Sequence, residues 1–193
     1  MGMSEACGRI VRMPATQDDI DLFVQVETKL YTAVISDALD ELGYRNQVMR
    51  ENIRPLFPDC CFAGWARTIS FADIYHVPPN PYDLEIEAVD SILPGEVVVV
   101  STGESKRNAP WGELLSTAAL VRGARGAVID GLVRDVKKIQ KLGFPVFSTG
   151  IKAVDSKGRG LVIDYGMPVE CGGVRVSPGD LIFADYDGVV VIP

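Results

Sequence analysis

Histidine is nearly absent from this chain, and cysteine is sparse. One histidine, His76, and four cysteines, Cys7, Cys60, Cys61 and Cys171, occur among 193 residues. No CxxC spacing is present, and the adjacent Cys60 and Cys61 do not readily bond one another. A zinc centre of the His/Cys type and a disulfide scaffold are therefore excluded. The cysteines read as reduced, mostly buried thiols of a cytoplasmic protein. Long apolar runs are also missing, and no stretch approaches the roughly 18 residues of a membrane span. The opening residues, Met1 to Cys7, show no basic segment followed by an apolar one, so no secretory leader is expected. Positive charge is short as well. Lys and Arg number 19 against 26 Asp and Glu, a net charge of −7 spread along the chain. Phosphate contacts need clustered Lys and Arg, so neither nucleic acid nor a membrane is an expected partner, whereas a small anionic metabolite needs only a local set of donors.

What is present is an ordinary globular composition, 47% hydrophobic and 23% charged, over a length that suits one domain. We read residues 1–193 as that domain, with 1–17 as an N-terminal arm. Helical spacing of Ile20, Phe23, Val24 and Leu30 predicts a helix over 18–30. A second is predicted over 33–42, with Thr32 as its N-cap and Gly43 at its C-terminal end. Residues 45–60 read as loop, 61–71 as a strand, and 84–89 as a short element of open type. Val97 to Val100, apolar on both faces, predicts a buried strand with helices on either side. A helix over 112–121, a strand over 126–129, a helix over 135–142 and a strand over 145–147 complete a β-α-β-α-β run, which implies parallel strands. Short strands over 161–163, 169–171, 181–184 and 188–192 follow. The fold class is α/β: a single-domain α/β/α sandwich with a parallel core and a β-rich C-terminal part.

In such sheets ligands bind beyond the carboxyl ends of strands, near helix N-termini. Two junctions of this kind stand out. The first contains Pro110-Trp111-Gly112-Glu113-Leu114-Leu115. Gly112 permits close backbone approach, and the opening amides of the helix are unpaired donors suited to a carboxylate. The second is Asp130-Gly131-Leu132-Val133-Arg134-Asp135. Arg134 can pair with a carboxylate or an enolate oxygen, and Asp135 is a hard oxygen ligand for Mg²⁺ or Mn²⁺. Singly, each junction reads first as an ordinary feature: a glycine-rich loop opening a helix at the first, and a helix cap or first-turn acid beside a surface Arg at the second. Jointly they lie on successive βα connections, with twenty residues between Glu113 and Arg134, enough for one helix and one strand to return the chain to the same edge.

The sequence resembles the RraA-like group, which includes the class II 4-hydroxy-4-methyl-2-oxoglutarate aldolases. The resemblance is carried by Ser36-Asp37-Ala38-Leu39-Asp40 with Gly43, Ala63-Gly64-Trp65-Ala66-Arg67-Thr68, residues 93–147, Pro178-Gly179-Asp180 and residues 184–193. It also matches the family's motif of an acid, twenty residues and Arg-Asp, here Glu113 and Arg134-Asp135. It implies a swivelling-domain type of fold and a divalent metal, Mg²⁺ or Mn²⁺, held directly by Asp135 and through water by Glu113. Amides from Gly112, Glu113, Leu114 and Leu115 would hold the carboxylate of a 2-oxo acid. Arg134 would steady the oxygen that becomes a metal-bound enolate of pyruvate. The implied reaction is retro-aldol cleavage or decarboxylation of oxaloacetate, in a homotrimer or hexamer with sites between subunits. The other function the resemblance implies is a protein-binding regulator of ribonuclease activity, without catalysis. No glycine-rich loop suits a methyl-donor nucleotide.

Two departures from the family pattern bear on the reaction. Glu113 stands where the aldolases commonly carry Asp. The further Glu that they draw from a neighbouring subunit's C-terminal segment would lie beyond Pro193, so the resemblance implies decarboxylation more fully than aldol cleavage. Lys138, three residues past Asp135, stands where an acid is frequent. Lys106, Lys137 and Lys138 are expected only to be solvated, since no Schiff base is required. His76 reads as a loop or packing residue, residues 152–160 as a solvated turn, Asp130 as a crevice or turn-amide acid, Trp65 as packing, and Trp111 as lining the cleft.

Overall fold

The computed structural model describes residues 13–193, so the first twelve residues of the expected arm lie outside the described residues. In chain order the elements are α1 (Gln17–Lys29), α2 (Thr32–Glu41), β1 (Arg54–Pro55), β2 (Phe62–Asp73), α3 (Asp83–Asp90), β3 (Glu96–Ser101), α4 (Glu113–Val121), β4 (Gly126–Val133), α5 (Val136–Leu142), β5 (Val146–Ile151), β6 (Gly160–Tyr165), β7 (Val169–Cys171), β8 (Val174–Val176), β9 (Leu181–Asp185) and β10 (Gly188–Ile192).

α1 starts where a capping box forms: Asp19 N–H donates to Thr16 Oγ1 at 3.2 Å and Thr16 N–H donates to Asp19 Oδ2 at 2.8 Å. α2 begins differently from expectation. Tyr31, not Thr32, is its N-cap and supplies no side-chain bond. Thr32 is the first helical residue, and its N–H and hydroxyl both donate to the carboxylate of Asp185 on β9. The cap arrives from far along the chain, so the local sequence does not display it. The C-terminal end is local: Gly43 lies at φ +91°, a conformation that side chains resist.

β2, β3, β4 and β5 are consecutive parallel neighbours, with α3, α4 and α5 as the intervening crossovers. The expected β-α-β-α-β core is therefore present and gains a further βα unit, since 84–89 belongs to a helix. β1 pairs antiparallel with β5 inside the stretch expected to be loop. β9 and β6 pair antiparallel with opposite ends of β2, and β10 extends the sheet beyond β9. The result is a mixed, nearly closed sheet.

The valine strand alternates between two cores. Val98 and Val100 meet Ala88 and Val89 of α3, Ala119 of α4 and Ile139 of α5. Val97 and Val99 face Val174, Val176, Ile182 and Val191. The second face, expected under helices, is thus covered by strands because the sheet curls over it. α1 and α2 pack outside the curl, with Phe23, Val26, Ile35 and Leu39 against Ala63, Phe183 and Val190. Fully burying a side chain of this size contributes about 1.5–3 kcal/mol. No described helix is long and apolar enough to cross a membrane. Among the described cysteines, Cys60 and Cys171 are buried, Cys61 is exposed, and all are free.

β4 positions the site. It was expected to end at residue 129, yet it runs to Val133 past a register irregularity between Ile129 and Leu132. Asp130 and Gly131 are therefore strand residues rather than a turn, and Arg134-Asp135 follows the strand directly.

Candidate active site

The two βα junctions are bonded to each other. Arg134 N–H donates to the Trp111 carbonyl at 3.0 Å, and Trp111 forms a parallel bridge with Val133. The Trp111 ring is buried, and its indole N–H donates to Ser116 Oγ at 2.9 Å, which fixes the start of α4. Gly112 is the N-cap of α4. A Cβ there would lie 2.8 Å from Asp135 Oδ2 and 3.0 Å from Arg134 Cγ, so only glycine admits the two side chains this close.

Asp135 occupies the N-cap position of α5 with φ 59° and ψ 28°, the left-handed region. A residue with a Cβ held there costs about 1–2 kcal/mol. Its side chain does not cap α5. Instead Oδ2 accepts the Glu113 N–H at 3.3 Å and lies 3.8 Å from Arg134 Nε. The carboxylate is therefore turned across to the first junction. Of the four amides expected to serve a carboxylate, that of Glu113 is occupied by Asp135. Those of Leu114 and Leu115 are the open donors of the first turn.

Gly112, Leu114, Leu115, Trp111, Arg134 and Asp135 all line one cavity of about 450 Å³. Glu113 stands beside it and contributes no wall. Its carboxylate lies 3.7 Å from Lys138 Nζ, a loose pair that leaves the lysine solvated, as expected. Both groups are largely exposed, so the pair itself adds little stability. No group of three or more His, Cys, Asp or Glu side chains suited to a metal occurs among the described residues. Where the two junctions meet, the carboxylates are those of Asp135 and Glu113.

Three residues that sequence reasoning missed complete the cavity: Tyr82, Glu85 and Asp155. Asp155, from the turn after β5, binds Arg134 Nη2 through Oδ1 at 2.9 Å and accepts the Tyr82 hydroxyl on Oδ2 at 2.7 Å. Burial works to raise its carboxyl pKa, but the Tyr82 bond, backbone donors and Arg134 outweigh it and leave it below the ordinary value. Burial, then Asp155, pushes the Tyr82 hydroxyl up to about 12. Burial, with Asp155 adding and Arg134 opposing, pushes Glu85 up to about 7. One sequence signal for Glu85 exists: it shares a helical row with Ala88, Val89 and Ile92, all buried.

Other singled-out residues lie elsewhere. Asp130 is buried, and its Oδ1 accepts the Thr102 N–H at 2.5 Å and the Thr102 hydroxyl at 2.8 Å, tying β4 to the end of β3. His76 sits exposed in a bend. Arg159 folds back onto the Asp155 and Lys157 carbonyls, both at 3.3 Å, and Lys152 donates to the Lys106 carbonyl at 2.7 Å. Trp65 packs edge-on against Phe23 at 5.3 Å.

Known proteins share this arrangement of chain. A protein of Halalkalibacterium halodurans, provisionally named 4-hydroxy-4-methyl-2-oxoglutarate aldolase, is 35% identical over 92% of this chain and 79% of its own length. Streptomyces coelicolor RraAS2, described as an unusual member of the RNase ES inhibitor RraA family, superposes with a TM-score of 0.82 at 27% identity, over 95% of this chain and 88% of that one. A crystal structure described under novel cellulases from gut-associated microbes gives a TM-score of 0.86 at 28% identity, over 95% of this chain and 81% of that one. The family model for RraA-like proteins, Aldolase/RraA, matches residues 32–191. The chain belongs to the RraA-like family.

Proposed function

We propose that this protein is a divalent-metal-dependent carbon–carbon lyase for 2-oxo acids. It would release pyruvate by retro-aldol cleavage of acids of the 4-hydroxy-4-methyl-2-oxoglutarate type, by decarboxylation of oxaloacetate, or by both. The observation that carries the reading is Asp135. It sits in a costly left-handed conformation at a helix start, yet its carboxylate leaves that helix and faces the Gly112 junction beside Arg134.

The donor set suits Mg²⁺ or Mn²⁺. Mg²⁺ keeps most of its waters and needs one or two carboxylates. Asp135 Oδ1 accepts no hydrogen bond among the described residues, and the missing Cβ of Gly112 leaves the carboxylate approachable. Asp135 would hold the cation directly and Glu113 through water. Bound there, the cation supplies Lewis-acid polarisation of the 2-oxo group.

The chain's own groups do the rest. The Leu114 and Leu115 amides, at the positive end of α4, receive the substrate carboxylate. Asp155 holds the Arg134 guanidinium at 2.9 Å, and Arg134 donates to the 2-oxo oxygen as negative charge gathers on it. The C3–C4 bond breaks and its electron pair passes into the pyruvate enolate. In the retro-aldol direction the C4 hydroxyl becomes a carbonyl and gives its proton to solvent; with oxaloacetate C4 leaves as CO₂; in both, the enolate takes a proton from solvent at C3 to give pyruvate. Trp111 and Leu115 shield the reacting carbons from water. The reading includes a cytoplasmic homotrimer or hexamer with sites at subunit interfaces.

A second reading, a protein-binding regulator of ribonuclease activity, is supported by the likeness to the Streptomyces coelicolor protein. It gives no role to the Gly112–Asp135 approach. Pyruvate release from oxaloacetate and from 4-hydroxy-4-methyl-2-oxoglutarate, with Mg²⁺ or Mn²⁺ and then with EDTA, tests the choice. Turnover abolished by EDTA is expected. Absent turnover, or turnover indifferent to EDTA, contradicts the metal-dependent lyase.

A further inference from the structure

The walls of the cavity differ chemically. One carries Arg134, Asp135 and the opening amides of α4. The other is α3, which presents Glu85, together with its N-cap Tyr82. Tyr82 is committed to Asp155 and through it to Arg134. Glu85 is not committed to anything. Its carboxyl makes no hydrogen bond or ion pair among the described residues, although it is partly buried and stands against Val89, Pro110, Trp111, Leu115 and Val162.

A carboxyl set largely against apolar side chains costs free energy, because it gives up part of its water and receives no hydrogen bond in return. A ligand in the cavity is the partner such a placement suits. The charged and titratable groups that face it are Arg134 and Asp155 from other elements and Tyr82 at the N-cap of its own helix. Burial and Asp155 hold its pKa near 7, so at neutral pH it serves both as a hydrogen-bond donor and as an acceptor.

We infer that Glu85 sets substrate specificity, turning the cavity away from 2-oxo acids that end in a second carboxylate and toward those that end in a hydroxyl group. The 2-oxo acid anchors at Arg134 and α4, which directs its far end to the α3 wall. There a hydroxyl both donates to and accepts from the Glu85 carboxyl, whereas a second carboxylate meets a like charge once Glu85 ionises. Discrimination therefore widens as pH rises from 6 to 8. This inference rests on the 2-oxo acid reading of the same cavity and ranks 4-hydroxy-4-methyl-2-oxoglutarate and oxaloacetate, which both carry a second carboxylate, as slower substrates of that lyase than hydroxyl-ended acids.

A matched pair of five-carbon acids tests it: 4,5-dihydroxy-2-oxopentanoate and 4-hydroxy-2-oxoglutarate. Both break at C3–C4 to give pyruvate, with glycolaldehyde or glyoxylate as the second product. At pH 8 with Mg²⁺, kcat/KM should favour the dihydroxy acid, and Glu85→Gln should reduce that ratio about tenfold or more. Calorimetric binding of two uncleavable acids, 2-oxopentanoate and 2-oxoglutarate, runs beside it. The wild-type preference for 2-oxopentanoate should disappear in Glu85→Gln. An unchanged ratio and an unchanged binding preference overturn the role of Glu85 and leave the lyase reading standing. A binding preference that Glu85→Gln abolishes, with no turnover of either substrate, upholds Glu85 and overturns the lyase. If no 2-oxo acid binds, both fall.

Discussion

Asp135 and Gly112 act as a pair, and each makes a separate prediction. Asp135→Asn keeps a side chain that tolerates the left-handed conformation but removes the charge. Activity should fall about 10²-fold or more, with thermal stability little changed. Gly112→Ala places a methyl 2.8 Å from Asp135 Oδ2 and must displace the carboxylate or the Arg134 stem. It should also lower kcat/KM by about 10²-fold, since misplacement by about 1 Å is enough, and circular dichroism should show the fold retained. Glu85 makes a third prediction that needs no substrate. Its pKa in the folded chain, about 7, exceeds its ordinary 4.5, so the folded state holds the proton more tightly than the unfolded chain. The stability this gives is full below about pH 4.5 and is lost as pH rises through 7. The loss should amount to about 2–3 kcal/mol in urea unfolding across that window, and Glu85→Gln should flatten the profile. A profile equally steep in the variant would show that Glu85 is ordinarily solvated.

At the scale of elements, legibility depended on where each element's partners came from. α1 is written locally in Thr16 and Asp19, and β3 in its run of valines. α2 is capped from Asp185, which is 153 residues away from Thr32, and nothing near Thr32 reveals it. Asp185→Ala should therefore destabilise the protein by about 1–2 kcal/mol, the usual loss for a removed helix cap, as read by chemical denaturation. No change would mean that water or Tyr31 replaces the cap. β4 was underestimated because Asp130 and Gly131 look like a turn. In the fold Asp130 is consumed by Thr102, and the strand continues through a register irregularity to deliver Arg134 and Asp135. The Glu113–Arg134-Asp135 spacing was legible because both junctions sit on consecutive βα connections. Tyr82, Glu85 and Asp155 were not, since they reach the cavity from α3 and from the turn after β5, which no local spacing relates to α4.

For the whole molecule, the curl of the sheet explains the division of labour. One face of β2 to β5 is covered by α3, α4 and α5, and the site forms on that side, where α3, α4 and the end of β4 meet. The other face is closed by β7 to β10, and α1 and α2 brace that closure from outside. Buried Trp111, Val133 and Ile139 flank the strained residue, so a left-handed Asp135 is held by the core packed around it. On the proposed reading, Asp135 and its neighbours form a joint seat for a divalent cation and a 2-oxo acid. Mn²⁺ binding followed by electron paramagnetic resonance, with and without pyruvate, in the wild type and in Asp135→Asn, tests that claim most directly. A bound Mn²⁺ signal that pyruvate perturbs is expected in the wild type, and its loss is expected in Asp135→Asn. Equal Mn²⁺ binding in the two proteins, or a wild-type signal indifferent to pyruvate, would contradict it.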